Sequence, residues 1–272
     1  MKRVLSADLF EFRKSKMTYI LPAVSVLVGI LLPMMYYGLI AMLKYLGSLE
    51  ILQDQSYLSS FDMLVDTLNA KAVFLSVLPV SQGIGIAITA MVGFRSVRPF
   101  STGIYRNKVI AGIPRSHIYL SQSLFSLILT MVSAALYTAS AAVTTMMTFG
   151  DPDLSGREIT VIVLLSLGIY LVYTAIPVFT AFLTRSLPLT IIISIILPIL
   201  LQTVVSFISP ALMSAPRIVT ELLSIIPSFQ GIYMMGASAS DSVLLISMIS
   251  DICITAVLTV LGILRFRKSD IN

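Results

Sequence analysis

The sequence holds one cysteine, one histidine, no tryptophan and few charges, and each shortage removes a class of protein. Only 11% of its 272 residues are charged and 57% are hydrophobic, where a soluble domain is about a quarter charged. A water-soluble globular chain is excluded. Cys253 has no second thiol to pair with, so an internal disulfide is excluded, and its apolar surroundings make it a packing residue. His117 has no Cys, His or acid at metal-ligand spacing, and there is no His-Glu zinc motif, so no metal site is expected. It also lies beside a basic segment rather than inside an apolar run, where an intramembrane Ser and His pair would need it. No G-x-x-x-x-G-K-[ST] phosphate loop occurs, so the chain cannot by itself cradle a nucleotide in that way, and any ATP, with its Mg, must be handled by another polypeptide. No catalytic residue and no cofactor bound by this chain are expected. A mean hydropathy of +0.97 excludes disordered and collagen-like chains and leaves an integral membrane protein.

Crossing a hydrocarbon core of about 30 Å takes roughly 20 apolar helical residues. The gaps between charges bound six such stretches, predicting helices near 18–42, 72–94, 118–147, 159–183, 187–208 and 243–264. The expected fold is thus an all-α integral membrane protein, one transmembrane domain over 1–272. The first stretch is longer than a signal-peptide core and has no small-residue cleavage site, so it is expected to remain as an uncleaved anchor.

Lys and Arg set the orientation. The N-terminal segment carries Lys2, Arg3, Arg13, Lys14 and Lys16, and the loop after the second stretch carries Arg95, Arg98, Arg106, Lys108 and Arg115. Arg185, Arg265, Arg267 and Lys268 fall on the same side, whereas Lys44, Lys71, Arg157 and Arg217 share the other with most of the acids. The positive-inside rule then places both termini in the cytoplasm. The net charge of +5 follows from topology and needs no nucleic acid.

Between the spans, Met1, Leu5, Leu9 and Phe12 share one helical face opposite Arg3, Glu11 and Lys14. Residues 1–16 read as an interfacial amphipathic helix, or as a solvated basic tail that only sets topology. Tyr57, Phe61, Leu64 and Leu68 suggest a short helix on the outer surface. Residues 209–240 are nearly as apolar as a span but are broken by Pro210, Pro216, Pro227, Gly231 and Gly236, which suits short re-entrant or interfacial outer helices. In the inner loop 95–117, Pro99 on one side and Gly112 and Pro114 on the other fence a helix over Thr102–Ala111, with Ser101 available as its N-cap. Ile104, Tyr105, Val109 and Ile110 are apolar beside polar Arg106, Asn107 and Lys108. So short a helix is unstable alone and wants either a docking partner or a bed of lipid headgroups.

Asp251 is the one ionisable group inside a span. At that depth an acid costs on the order of 2.5 to 3.5 kcal/mol on insertion scales, so it faces the bundle interior, a cavity or a partner. It reads as a pathway or proton-relay residue, or as a hydrogen-bonded packing acid. Gly85, Thr89 and Gly93 in the second stretch, and Ala134, Thr138 and Ala142 in the third, make small-residue faces expected to pack on each other or on a second protomer. Pro177, Pro188 and Pro198 are expected to kink or start the fourth and fifth.

Phe100, Gly103, Arg106, Asn107, Lys108, Gly112, Arg115, Ile118, Tyr119 and Ser121 resemble the pattern between spans two and three of type-2 ATP-binding-cassette (ABC) transporter permeases, of the Gram-positive kind that exports peptides, bacteriocins or drugs. The resemblance implies a six-span permease with an N-terminal interfacial helix. It also implies that Thr102–Ala111, with Ser101, Gly103, Ile104, Tyr105, Arg106, Asn107, Lys108 and Ile110, is a coupling helix docking on a separate nucleotide-binding ATPase subunit. The chain departs from the pattern at Pro99, where the family often has an acid, and at Ile104, where it has Thr. The expectation is a bacterial cell-membrane subunit that pairs with a second permease copy or a related permease. Its apolar spans favour a hydrophobic or amphipathic cargo, amphipathic peptides first and drugs or lipids next. The rival expectations are a proton-coupled secondary transporter using Asp251 and a non-transporting anchor or sensor. The lack of further intramembrane carboxylates and of a repeated pair of broken helices stands against the first.

Overall fold

The computed structural model describes residues 9–10, 12–48, 69–78, 84–212, 216–236 and 239–268. Among them the chain is α-helical, with no strand: α1 (Met17–Ser48), α2 (Ala70–Val77), α3 (Ile84–Ser101), α4 (Ile104–Ile110), α5 (Arg115–Phe149), α6 (Gly156–Thr184), α7 (Leu187–Leu212), α8 (Arg217–Leu223), α9 (Pro227–Gly236) and α10 (Asp241–Lys268). Four of these, α1, α5, α6 and α10, are long and apolar enough to cross a membrane, and Leu187–Leu201 of α7 is a shorter apolar stretch. The chain is an all-α membrane protein.

Local chemistry sets the helix ends. Asn69 Oδ1 accepts from the Ala72 amide at 2.8 Å and starts α2. Ser155 and Glu158 form a capping box at the head of α6, each side chain accepting from the other's amide. Gly150, with φ near 90°, closes α5 in a conformation side chains disfavour.

The long helices alternate in direction. Phe12 meets Phe125, and Tyr37 meets Phe149, so α1 and α5 run parallel. Phe100 and Phe266 both meet Phe182, so α3, α6 and α10 end together. Ser194 of α7 faces Thr180 of α6, and Thr190 faces Thr184, which makes that pair antiparallel. The end where α3, α6 and α10 finish gathers Arg98, Arg106, Lys108, Arg115, Arg185 and the α10 basic tail. At the other end Lys71 pairs with Glu158 at 2.6 Å and Arg157 with Asp241 at 3.1 Å. Apart from Asp251, the carboxylates of the described residues keep to that second end. The charge asymmetry counted along the chain is therefore an asymmetry in space.

Several expectations are corrected. The continuous helix expected near 72–94 is α2 and α3, with Leu78 as the C-cap of α2. The reason lies in the next residue of the sequence, Pro79, which has no amide hydrogen to continue a ladder. Pro99, expected to fence the inner helix, lies inside α3. The Gly93 face does not pack mainly on α5: a side chain there would press on Thr190, Ser194 and Pro177, so it marks the crossing of α3 with α6 and α7. Gly85 and Thr89 are buried on the same helix. On α5, Ala134 is buried, and Thr138 and Ala142 are half-buried. There the tight crossing is with α1, where a Cβ on Gly29 would strike Ser140 and the Tyr137 carbonyl. Pro177 lies inside α6, and α7 starts one residue before Pro188 and runs on to Leu212, past the expected end at 208.

The segment 209–240 contains the two short helices α8 and α9, joined by a bond from Tyr233 Oη to the Thr220 carbonyl at 3.3 Å. Of the expected N-terminal helix, residues 9–10 and 12–14 are helical, with Phe12 packed on Phe125 and Leu9 exposed. Ser15 and Lys16, expected to end that helix, form a break and a turn before α1, while residues 1–8 and 11, and the outer helix expected around Tyr57–Leu68, lie outside the described residues.

Candidate functional site: a short helix wired into the bundle

α4 has seven residues between two left-handed glycines, Gly103 (φ 71°) and Gly112 (φ 79°). Gly103 is its N-cap. Ser101, expected in that role, is the last residue of α3, and its Oγ donates back to the Arg98 carbonyl at 2.9 Å. The correction follows from glycine chemistry, since only a residue tolerant of positive φ makes so sharp a turn between two helices.

The two faces of α4 differ. Tyr105 is 1% exposed, and its hydroxyl donates to the Ser96 carbonyl at 3.4 Å. Ile104 and Lys108 are half-buried, with Lys108 Nζ 5.8 Å from the Tyr105 ring centroid. Arg106 and Asn107 are exposed, and Ile110 is 74% exposed.

Tyr105 belongs to a knot of rings from five helices, with Phe182 at its hub. Phe182 lies 4.7 Å from Tyr119, 4.8 Å from Phe266, 5.2 Å from Phe100 and 5.2 Å from Tyr105, centroid to centroid. Most of these pairs are edge-on, and each such pair is worth about 0.5–1.5 kcal/mol beyond its burial. Arg115, one turn past α4, donates to the Phe266 and Arg267 carbonyls at 3.3 and 3.0 Å, capping α10 with a cation where its dipole is negative. Tyr105 thus packs α4 directly on rings of α3, α6 and α10, and Phe182 links them to Tyr119 of α5. Sequence reasoning singled out Phe100, Tyr105 and Tyr119 but missed Phe182 and Phe266. Their one signal is an aromatic just inside the basic boundary of each span.

Asp251 lies elsewhere, between α6, α9 and α10, and is 1% exposed. Gln230 Nε2 donates to its Oδ1 at 3.1 Å and also to the Ser224 carbonyl at 2.9 Å. Ser247 Oγ donates to the same carbonyl at 3.4 Å. Asp251 Oδ2 and Gln230 Oε1 have no hydrogen-bond partner among the described residues. The carboxylate lies against Gly168 so closely that a Cβ there would overlap it. The acid thus faces the bundle interior, and a side chain on Gly168 of α6 would make the carboxylate or the helix shift. No group of three or more His, Cys, Asp or Glu that could hold a metal is found among the described residues.

Comparison of the chain with protein-family models and with curated proteins finds no match.

Proposed function

We propose that this chain is the membrane-spanning permease subunit of an ATP-driven ABC exporter. In this reading α4 is the element through which a separate ATPase subunit moves it, and two copies, or this chain and a related permease, enclose the path. The observation that carries the reading is the two-faced α4. One face is tied by Tyr105 into the ring knot, while Arg106, Asn107 and Ile110 stand out from the protein at its basic end. An exposed isoleucine one turn after exposed Arg106 and Asn107 suits a docking surface, and the knot behind it would turn docking force into motion of the helices it joins. ATP-driven closure of the ATPase pair would then shift the permease between two cavity states, provided the ATPase contacts α4 differently in each.

The chain crosses the membrane six times with both termini in the cytoplasm of a bacterial cell, α1, α5 and α7 leading outward and α3, α6 and α10 returning. The apolar interior suits an amphipathic peptide, then a drug or lipid. Reconstitution tests the reading. A phosphate-loop ATPase that co-purifies with this chain, and whose ATP turnover in proteoliposomes depends on it, supports the proposal; gradient-driven transport by the chain alone overturns it.

A second reading, proton-coupled transport, rests on Asp251 Oδ2, a buried oxygen without a donor. It lacks a route onward, since no other carboxylate among the described residues lies inside the bundle.

A further inference from the structure

A cavity of about 600 Å³ opens at the basic end between the N-terminal segment, the end of α3, α4 and the start of α5. Its size falls in the range of about 300–1,000 Å³ typical of small-molecule sites. Five cations line it, Lys14, Lys16, Arg95, Arg98 and Lys108, and no carboxylate among the described residues does. They come from three different segments, so the cavity is charged on several walls rather than being one basic stripe. Aromatic faces hold some of them in place: the Arg95 guanidinium lies 4.3 Å from the Phe12 ring centroid and Lys14 Nζ 4.7 Å from that of Phe10. The rest of the wall is apolar, from Met17, Phe94 and Phe125. Gln122 adds an amide whose Nε2 donates to Ser96 Oγ at 3.2 Å.

We infer that this cavity is a binding site for a phosphate-bearing anion, supplied by the headgroup of an anionic phospholipid. Charges of one sign on several walls of a concave site add their potentials and draw in an anion. Guanidinium and ammonium donors suit the oxygens of a phosphate. The apolar wall selects the lipid source, because a free phosphate ion has nothing to lay against Met17, Phe94 and Phe125, whereas the glycerol and upper acyl chain of a lipid do. The cavity is bounded by the two segments flanking the bundle at that end, so a bound headgroup would staple the N-terminal segment to α4. The inference needs only the membrane character of the chain and stands whether or not α4 docks on an ATPase.

The test uses the full purified chain in detergent, with native mass spectrometry and thermal unfolding read in the presence of phosphatidylglycerol, phosphatidylcholine or inorganic phosphate. Two charge-matched variants are compared: Lys14→Gln/Lys16→Gln/Arg98→Gln in the cavity, and Arg265→Gln/Arg267→Gln/Lys268→Gln on the exposed tail of α10. Three lysines or arginines near an anionic lipid are worth about a hundredfold in affinity. The cavity variant is therefore expected to lose the phosphatidylglycerol adduct and its rise in Tm, while the tail variant keeps both. A rise with phosphatidylglycerol alone supports the lipid source, and an equal rise with inorganic phosphate supports the same anion site filled from solution. Equal loss in the two variants, or equal binding of phosphatidylcholine by the parent, overturns the site in favour of general surface attraction. Should the cavity variant not fold, Arg98→Gln alone and the parent's headgroup preference decide the question in the same way.

Discussion

The ring and hydroxyl of Tyr119 fill the space that a side chain on Gly262 would need, so α5 meets α10 ring against backbone, and Tyr119 Oη donates to the Leu258 carbonyl at 3.5 Å. The Tyr119 ring also lies 4.7 Å, centroid to centroid, from Phe182, the hub of the ring knot. A side chain at Gly262 would therefore press on a ring of the knot.

Gly262→Ala is expected to destabilise the protein by about 1–3 kcal/mol, the usual cost of overpacking. Tyr119→Ala alone should cost about 3–5 kcal/mol, as loss of a buried aromatic does. The double variant should be more stable than the sum of the two, because removing the ring makes room for the methyl group. Denaturant or thermal unfolding of all four proteins checks this, and strict additivity would show that the two residues do not touch.

That contact also shows how far the sequence could be read. The all-helical, apolar character of the chain and the charge asymmetry were legible because hydropathy and Lys/Arg placement act locally along the chain. α5, α6, α7 and α10 begin and end within about four residues of the expected bounds, whereas α1 runs on to Ser48 and the second stretch is split into α2 and α3, the latter ending at Ser101. Partner choice was not legible. Gly93 and Gly29 look like any small residue in an apolar run, and only the fold shows the first against α6 and α7 and the second against α5. Phe182 and Phe266 lie 84 positions apart and meet only because α6 and α10 run parallel. Asp251 was conspicuous as a charge, but Gln230, which holds it, sits in a segment whose signal is its prolines and glycines.

The outer and inner faces of α4 should respond differently to mutation. Arg106→Glu with Ile110→Asp alters only exposed side chains, so unfolding should shift by less than about 0.5 kcal/mol, while stimulated ATPase activity and export are lost. Tyr105→Ala attacks the buried face and should lower stability by about 3–5 kcal/mol. Normal export by the first variant would remove α4 from the coupling mechanism.

Sidedness is decided by labelling. Cys253 is the only cysteine, so a Cys253→Ser background gives a thiol-free chain in which Ser101→Cys and Ala111→Cys, both at exposed positions, flank α4. A membrane-impermeant maleimide applied to intact cells should leave both unmodified and should label them after permeabilisation. Modification from outside would invert the topology and bring α4 out of reach of any cytoplasmic ATPase.

Asp251 and Gly168 separate an acid that relays protons from one that locks the bundle. An amide at position 251 presents an oxygen in the place of Oδ1, so it can still accept from Gln230, and the near-isosteric side chain still fits against Gly168. If the acid is a packing element, Asp251→Asn should keep most ATP-driven transport, with a modest change in stability or cargo preference. Gly168→Ala should do more harm, since its methyl group would overlap the carboxylate and force α6 away from α10. A proton relay reverses that order: Asp251→Asn would abolish transport outright, because the amide cannot exchange a proton, and Gly168→Ala would only lower stability. Transport assays on the two variants in proteoliposomes, run once with ATPase partner and ATP and once with a pH gradient alone, distinguish the cases. We expect the gradient alone to drive nothing, since among the described residues no second carboxylate inside the bundle could receive the proton that Asp251 releases.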